Sequence, residues 1–329
     1  MKTTIFTVLT LALALATTTA FAQVGIGTTE PDDTAALDVQ SSDKGFLPPR
    51  MTTTERDGIN NGNIASGLTI YNTTVNCLQW YIGNGIWHDG CGDNLYQEYP
   101  EGTVFCESGP TEIVEATNPV TNKIWMDRNL GASQVAASSS DADSYGDLYQ
   151  WGRAADGHQC RTSDEYDGGT LGLASTSEPN TDEDWDGHFI TIDDGTNDWL
   201  DTQDDFLWNT NDPTNASDPS PGKGTTDPCP TGYRVPTEAE LNAERLSWVD
   251  PAINSTNNSA GALASPLKLP AAGLRSRTTG SLFNVGSFGP YWSSTVSGTN
   301  ARRLRFSSSN ANMLADNRAL GYSVRCIQN

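Results

Sequence analysis

Apolar and polar residues alternate with a period of two in several short runs, and only one run carries helical spacing. Leu68-Thr69-Ile70-Tyr71-Asn72 and Leu78-Gln79-Trp80-Tyr81-Ile82 each predict a strand, and Gly83-Asn84-Gly85 turns the chain into Ile86-Trp87. Upstream, the turn-rich Val24-Gly25-Ile26-Gly27-Thr28-Thr29-Glu30-Pro31 leads to a short strand over Ala35–Val39. Gly45-Phe46-Leu47-Pro48-Pro49-Arg50-Met51 reads as extended, because a residue before proline avoids the α region. Thr54-Glu55-Arg56 starts a short helix. The one firm helix begins at Thr237-Glu238-Ala239-Glu240, a capping box in which the Thr hydroxyl accepts from the Glu240 N–H and the Glu240 carboxylate reaches back. Leu241 and Trp248 then share one helical face, with Arg245 between them. The C-terminal part predicts strands over 291–295, 301–307 and 322–327. In the middle one, Leu304 and Phe306 face one way and Arg303 and Arg305 the other, the pattern of a half-buried strand.

The first 22 residues stand apart. Lys2, an apolar core from Ile5 to Ala16 and the small-residue pattern Ala20-Phe21-Ala22 make a secretory signal peptide, too short to span a bilayer. No later stretch is long and apolar enough to be a transmembrane segment. The rest divides into a small β-rich head, 23–93, and a larger module, 94–329. In the latter, residues 140–228 hold 21 of the 41 acidic side chains but only 3 of the 19 basic ones.

The net charge of −22 disfavours nucleic acid as a partner, since an acidic chain repels phosphates. Three scattered histidines, His88, His158 and His188, leave little room for a metal site or a histidine-centred triad. Six cysteines, Cys77, Cys91, Cys106, Cys160, Cys229 and Cys326, form an even set that reads as disulfides in an exported chain, with the pairing open. The local pair Cys77–Cys91 would close a hairpin-sized loop. Gly25-x-Gly27 lacks both the third glycine and the preceding strand of a nucleotide loop, and Gly222-Lys223 lacks the glycine five residues earlier.

Several blocks of the second module resemble the Fibrobacter succinogenes major paralogous domain of secreted Bacteroidetes-type proteins. They are Ile124–Ala132, Tyr145–Arg153, Pro228–Glu240, Leu267–Gly273, Tyr291–Thr295 and Ser323–Cys326. In order they are similar to the formylglycine-generating-enzyme group. That resemblance implies a C-type-lectin-like fold, and it implies the pair Cys229–Cys326 and, with it, Cys106–Cys160. The chemistry of that group does not carry over, because Cys326 is the only cysteine after Cys229. The head resembles short segments of bacterial surface proteins and phage-tail-like fibres through Val24–Pro31, Ala36–Val39, Gly45–Met51 and Gly67–Asn72. In fibres such heads often trimerise.

Candidate chemistry is sparse. Asp182, Asp184 and Asp186 before Gly187, with Asp193 at the twelfth position, have the spacing of a calcium loop. The last ligand is a short Asp, no helices flank the loop, and a solvated acidic loop competes with the reading. Glu178-Pro179-Asn180 and Trp185-Asp186 match sugar-binding tripeptides of C-type lectins but fall on the wrong side of the Thr237 helix. Arg303 and Arg305 could hold carboxylates or sulfates, and Tyr291 and Trp292 could stack on sugars. No pair of carboxylates has the spacing of a glycosidase, and there is no catalytic residue to name. The expectation is an α+β fold: a C-type-lectin-like domain with long loops and few helices behind a small β-rich head. The function expected is a secreted or cell-surface, non-enzymatic binding protein, an adhesin with calcium as its one candidate cofactor and a glycan or surface protein as ligand. A structural subunit of a surface fibre or extracellular matrix, trimeric through the head, and a carbohydrate-active enzyme are the alternatives.

Overall fold

The computed structural model describes residues 23–62, 64–83, 86–89, 99–178, 183–193, 195–218, 221–250 and 256–329. Contacts divide the chain into two units between Tyr81 and Ile82, earlier than the expected boundary at 93; residues 90–98 lie outside the described residues.

The head holds the strands β1 (Val24–Ile26), β2 (Leu37–Val39), β3 (Arg50–Met51), β4 (Thr69–Asn72) and β5 (Cys77–Gly83), and the short helix α1 (Thr53–Asp57). β1 and β2 form a parallel ribbon. The turn out of β1 requires Gly27, whose φ is +80° and where a Cβ would lie 2.0 Å from the Gln40 carbonyl oxygen. The glycines at 25 and 27 thus serve a tight turn. α1 starts with a second capping box, Thr52 accepting from Glu55 N–H at 3.3 Å and Glu55 Oε2 accepting from Thr52 N–H at 2.8 Å. The expected pair of alternating strands is present as antiparallel β4 and β5, with Ile70 opposite Gln79. Under them Arg56, 4 % exposed, donates to Gln79 Oε1 and pairs with Asp57. Within the head the sheet order is β3-β4-β5, and β6 (Ile86–Asp89) opens the second unit.

The second unit continues with β7 (Glu115–Thr117), β8 (Ile124–Met126), β9 (Tyr149–Gln150), β10 (Glu165–Asp167), α2 (Gly168–Leu171), β11 (Phe189–Thr191), β12 (Tyr233–Arg234), α3 (Glu238–Ser247) and α4 (Ser259–Ala264). It ends with β13 (Leu274–Arg275), β14 (Leu282–Phe283), β15 (Gly289–Ser297), β16 (Asn300–Phe306), β17 (Ala311–Asn317), β18 (Gly321–Tyr322) and β19 (Ile327–Gln328). Many short strands in small sheets and few helices make this an α+β protein. The sheets run β12-β19-β8-β7, β14-β13-β18-β9 and β15-β16-β17, with β10 and β11 as a parallel pair. The capping box at Thr237 is as expected, and Leu241 and Trp248 are both buried beneath α3. The single strand expected over 322–327 is two separate short strands, and β17 is an addition.

Long loops leave many backbone groups without a sheet partner, and buried polar groups need one. Tryptophans and arginines supply it. Trp151 Nε1 donates to Ser293 O, Trp199 Nε1 to Trp151 O, Trp292 Nε1 to Tyr149 O, and Trp208 Nε1 to Thr226 O, at 2.7–3.1 Å. The fully buried Arg325 donates to Leu267 O, Met126 O and Asn129 Oδ1. Burial lowers its pKa to about 10, so it remains a cation. Disulfides Cys106–Cys160 and Cys229–Cys326 close loops with sequence separations of 54 and 97. Both match the pairing that the resemblance implied. Cys77 is also disulfide-bonded, and Cys91, its expected partner, lies outside the described residues.

Candidate functional site

The head has an apolar face that its own described residues leave uncovered. Residues two apart on a strand point to one side, and in-register neighbours of a parallel pair share that side. The pairings Val24↔Leu37 and Ile26↔Val39 therefore gather four apolar side chains on one face of the ribbon. They are 52 %, 54 %, 51 % and 42 % exposed for Val24, Ile26, Leu37 and Val39 respectively. The polar side is satisfied internally: Asp38 Oδ2 accepts from Asp32 N–H at 3.0 Å and Gln40 Nε2 at 3.1 Å. Phe46 and Leu47, on the extended segment before Pro48, are 67 % and 73 % exposed. A ribbon of two strands is marginal in water without something on its apolar face, and grouped exposed apolar side chains mark an interaction surface.

In the second unit the expected ligand residues are placed otherwise. Tyr291 and Trp292 are completely buried. Tyr291 stacks on Phe306 and donates to Pro270 O, while Trp292 packs on Tyr322. Neither ring has a face open to a sugar, because β15 crosses the middle of the core. The cationic side of β16 is covered as well. Arg303 is 6 % exposed and pairs through Nε and Nη2 with Asp316 Oδ2, which also accepts from the Tyr322 hydroxyl at 2.7 Å. Phe288 lies 5.8 and 5.4 Å from the Arg303 and Arg305 guanidinium carbons. Arg305 alone is half-buried.

Of the candidate calcium ligands, Asp182 lies outside the described residues. Asp184 and Asp186 stand in the turn before β11, anchored by the buried Trp185, and Asp193 follows β11. The extended run Phe189–Thr191 replaces the loop such spacing calls for. Among the described residues no group of three or more His, Cys, Asp or Glu is gathered as it would be around a metal ion.

Residues 25–99 match the family model of the phage tail like trimerisation region. Three of the four apolar residues on the ribbon face, Ile26, Leu37 and Val39, lie within the match. No curated protein matches the chain, and no solved structure does. No helix among the described residues is long and apolar enough to cross a membrane.

One buried titratable cluster, His158 with Asp156 and Arg153, is structural. His158 is fully buried, accepts at Nε2 from Gln150 N–H, and so carries its proton on Nδ1, 2.5 Å from Asp156 Oδ1. Burial, reinforced by the charge of Arg153, pushes its pKa down to about 4. Burial opposes ionisation of Asp156, but Arg153 and His158 outweigh it and hold the carboxyl below the usual range. In the sequence His158 is one of three scattered histidines, with no sign of this enclosure. Arg153-Ala154-Ala155-Asp156-Gly157-His158 has no period, and what buries it is the far-off Trp185, Trp199 and His188 carbonyl.

Proposed function

We propose that the chain is a structural subunit of an exported surface fibre, assembling as a homotrimer through its head and carrying the second unit as a disulfide-braced body. The observation that carries this reading is the uncovered apolar face of β1 and β2, which coincides with the match to a trimerisation region. Covering the exposed halves of Val24, Ile26, Leu37 and Val39 contributes about 1 kcal/mol each, or about 4 kcal/mol per protomer. That is a useful sum for three copies meeting at one axis. The even cysteine set and the signal-peptide pattern support export. The test is sedimentation equilibrium of the unaltered chain beside an Ile26→Asp/Leu37→Asp variant. The unaltered chain sediments as a trimer and the variant as a monomer; an unaltered chain that stays monomeric at high micromolar concentration refutes the proposal.

A second role rests on the body. Its motif blocks converge: Asn129 donates to Tyr145 O and bonds Tyr291, and accepts from Arg325. Four of the six blocks therefore meet at one side chain, which supports reading the unit as a Fibrobacter succinogenes major paralogous domain of C-type-lectin-like fold. On this reading it presents binding loops, without catalysis, at the fibre surface. Binding on an array of glycans and surface proteins, with and without calcium, tests it; no binder in either condition would leave only the structural role.

A further inference from the structure

Asp147 follows the turn at Gly146 and is 7 % exposed. Its backbone N–H donates to Leu130 O at 2.8 Å, which sets the side chain over Gly131. A Cβ on Gly131 would fall within 2.4 Å of both carboxylate oxygens, and the φ of +78° there also favours glycine. Among the described residues, nothing donates a hydrogen bond to this carboxylate. Arg161 is the nearby cation, but it acts on the carboxylate through charge alone, and two of its donors are committed elsewhere. Nε donates to Gly146 O at 2.6 Å and Nη2 to Ala272 O at 2.9 Å, with the guanidinium over Tyr145. An enclosed carboxylate with no donor is expensive and calls for an explanation.

The carboxylate faces a cavity of about 150 Å³, also lined by Glu107, Ser133, Asp143, Arg161 and Thr162. One wall is the loop tethered by Cys106–Cys160. Three carboxylates against one guanidinium give the space a net negative character. Its hydroxyls can accept, since the Ser133 Oγ proton already goes to Asp143 O. A divalent metal would need about six oxygens, and no cluster of three acidic or other ligating side chains is gathered among the described residues. What fits a nearly enclosed single counter-ion is a compact cation on a slender stem. We propose that this cavity receives the ammonium tip of a lysine side chain from a protein partner, with Asp147 as its counter-ion and Ser133 and Thr162 as accepting neighbours.

Burial pushes the Asp147 carboxyl up to about 7, so the site gains its charge as pH rises through neutrality, while lysine stays cationic. The other charged or titratable groups facing it are Arg161, Asp143, Glu107 and the phenols of Tyr99 and Tyr149, both held neutral by burial. The test titrates the full chain with Nα-acetyl-lysine N-methylamide by calorimetry at pH 6, 7 and 8. The Nε-acetylated form, the norleucine analogue and glucosamine serve as controls. The lysine derivative alone binds, tightening about tenfold from pH 6 to pH 8. Asp147→Asn weakens it about tenfold to a hundredfold, the worth of a charge-assisted hydrogen bond. The pH series on the unaltered chain stands even if the variant folds poorly. Equal binding of the Nε-acetylated form, a flat pH response, tighter binding of glucosamine, or no binding by about 50 mM overturns the proposal.

Discussion

Replacing Asp147 by Asn should stabilise the second unit at pH 8 relative to pH 5, by an amount the structure fixes. The folded carboxyl titrates at about 7 because burial disfavours its charge, against a reference value of 3.8. A raised folded pKa means that the stabilising contribution is full below about 4 and is lost as pH rises through about 7. At pH 5 the folded side chain is neutral and the unfolded one charged, while at pH 8 both are charged. With about 1.4 kcal/mol per unit, the unaltered protein loses about 3 kcal/mol between these pH values through this residue alone. Asn does not titrate, so the difference between variant and unaltered protein should move by about 3 kcal/mol toward the variant. Any constant packing or hydrogen-bonding cost of the amide cancels in that comparison, as do the titrations of His158 and of Asp198, whose carboxyl burial raises to about 6. Urea unfolding at fixed protein concentration, followed by tryptophan emission, is the assay. It reports the second unit, which holds the fully buried Trp125, Trp151, Trp199, Trp208, Trp248 and Trp292. A difference that stays constant from pH 5 to pH 8 would refute the assignment of an uncompensated buried charge. A gain in stability on removing Asp147 also fits a group kept for binding at a cost to the fold.

His158 works in the opposite direction: its folded pKa of about 4 makes stability full above about 6.5 and falling as pH drops toward 4, by up to about 3 kcal/mol. A His158→Gln variant should show a flatter acid limb in the same urea series. Replacing Cys229 and Cys326 by Ser should cost about 5 kcal/mol, and Cys106 with Cys160 about 4 kcal/mol, from loop entropy; the order of the two thermal midpoints checks this. Asn129→Ala strips two acceptor contacts from the buried Arg325 and should destabilise by about 3 kcal/mol, visible as a lowered urea midpoint with the secondary structure intact. Ile26→Asp/Leu37→Asp should leave the tryptophan-monitored midpoint of the second unit unchanged, which the same urea series on both chains would verify.

Features set by local chemistry were legible in the sequence. The capping box at Thr237, the alternation through Ile70 and Trp80, and the burial of Leu304 and Phe306 follow from residues within a few positions of each other. Features set by distant chain were not. Ala311–Asn317 has no apolar period and few strand-forming residues, and it is a strand because each residue pairs with β16. Val24–Ile26 reads as a turn-rich lead-in, yet the parallel partner Leu37–Val39 makes it half of an apolar face. Arg303 alternates outward as expected, but Phe288, Tyr322 and Asp316 cover that side. Gly146-Asp147 looks like an ordinary turn, and only the fold shows that the carboxylate is enclosed over Gly131. The acidic stretch 140–228 carries little regular structure, as its composition suggested, but it is pinned by Trp151, Trp199 and Trp208, not loosely solvated.

In the proposed trimer, three heads close over the ribbon face of β1 and β2. Light scattering coupled to size exclusion of the full chain, across a tenfold range of concentration, tests it most directly. The expected mass is three times that of one chain, falling to one chain when Ile26 and Leu37 are both aspartate. A mass of one chain throughout would contradict it.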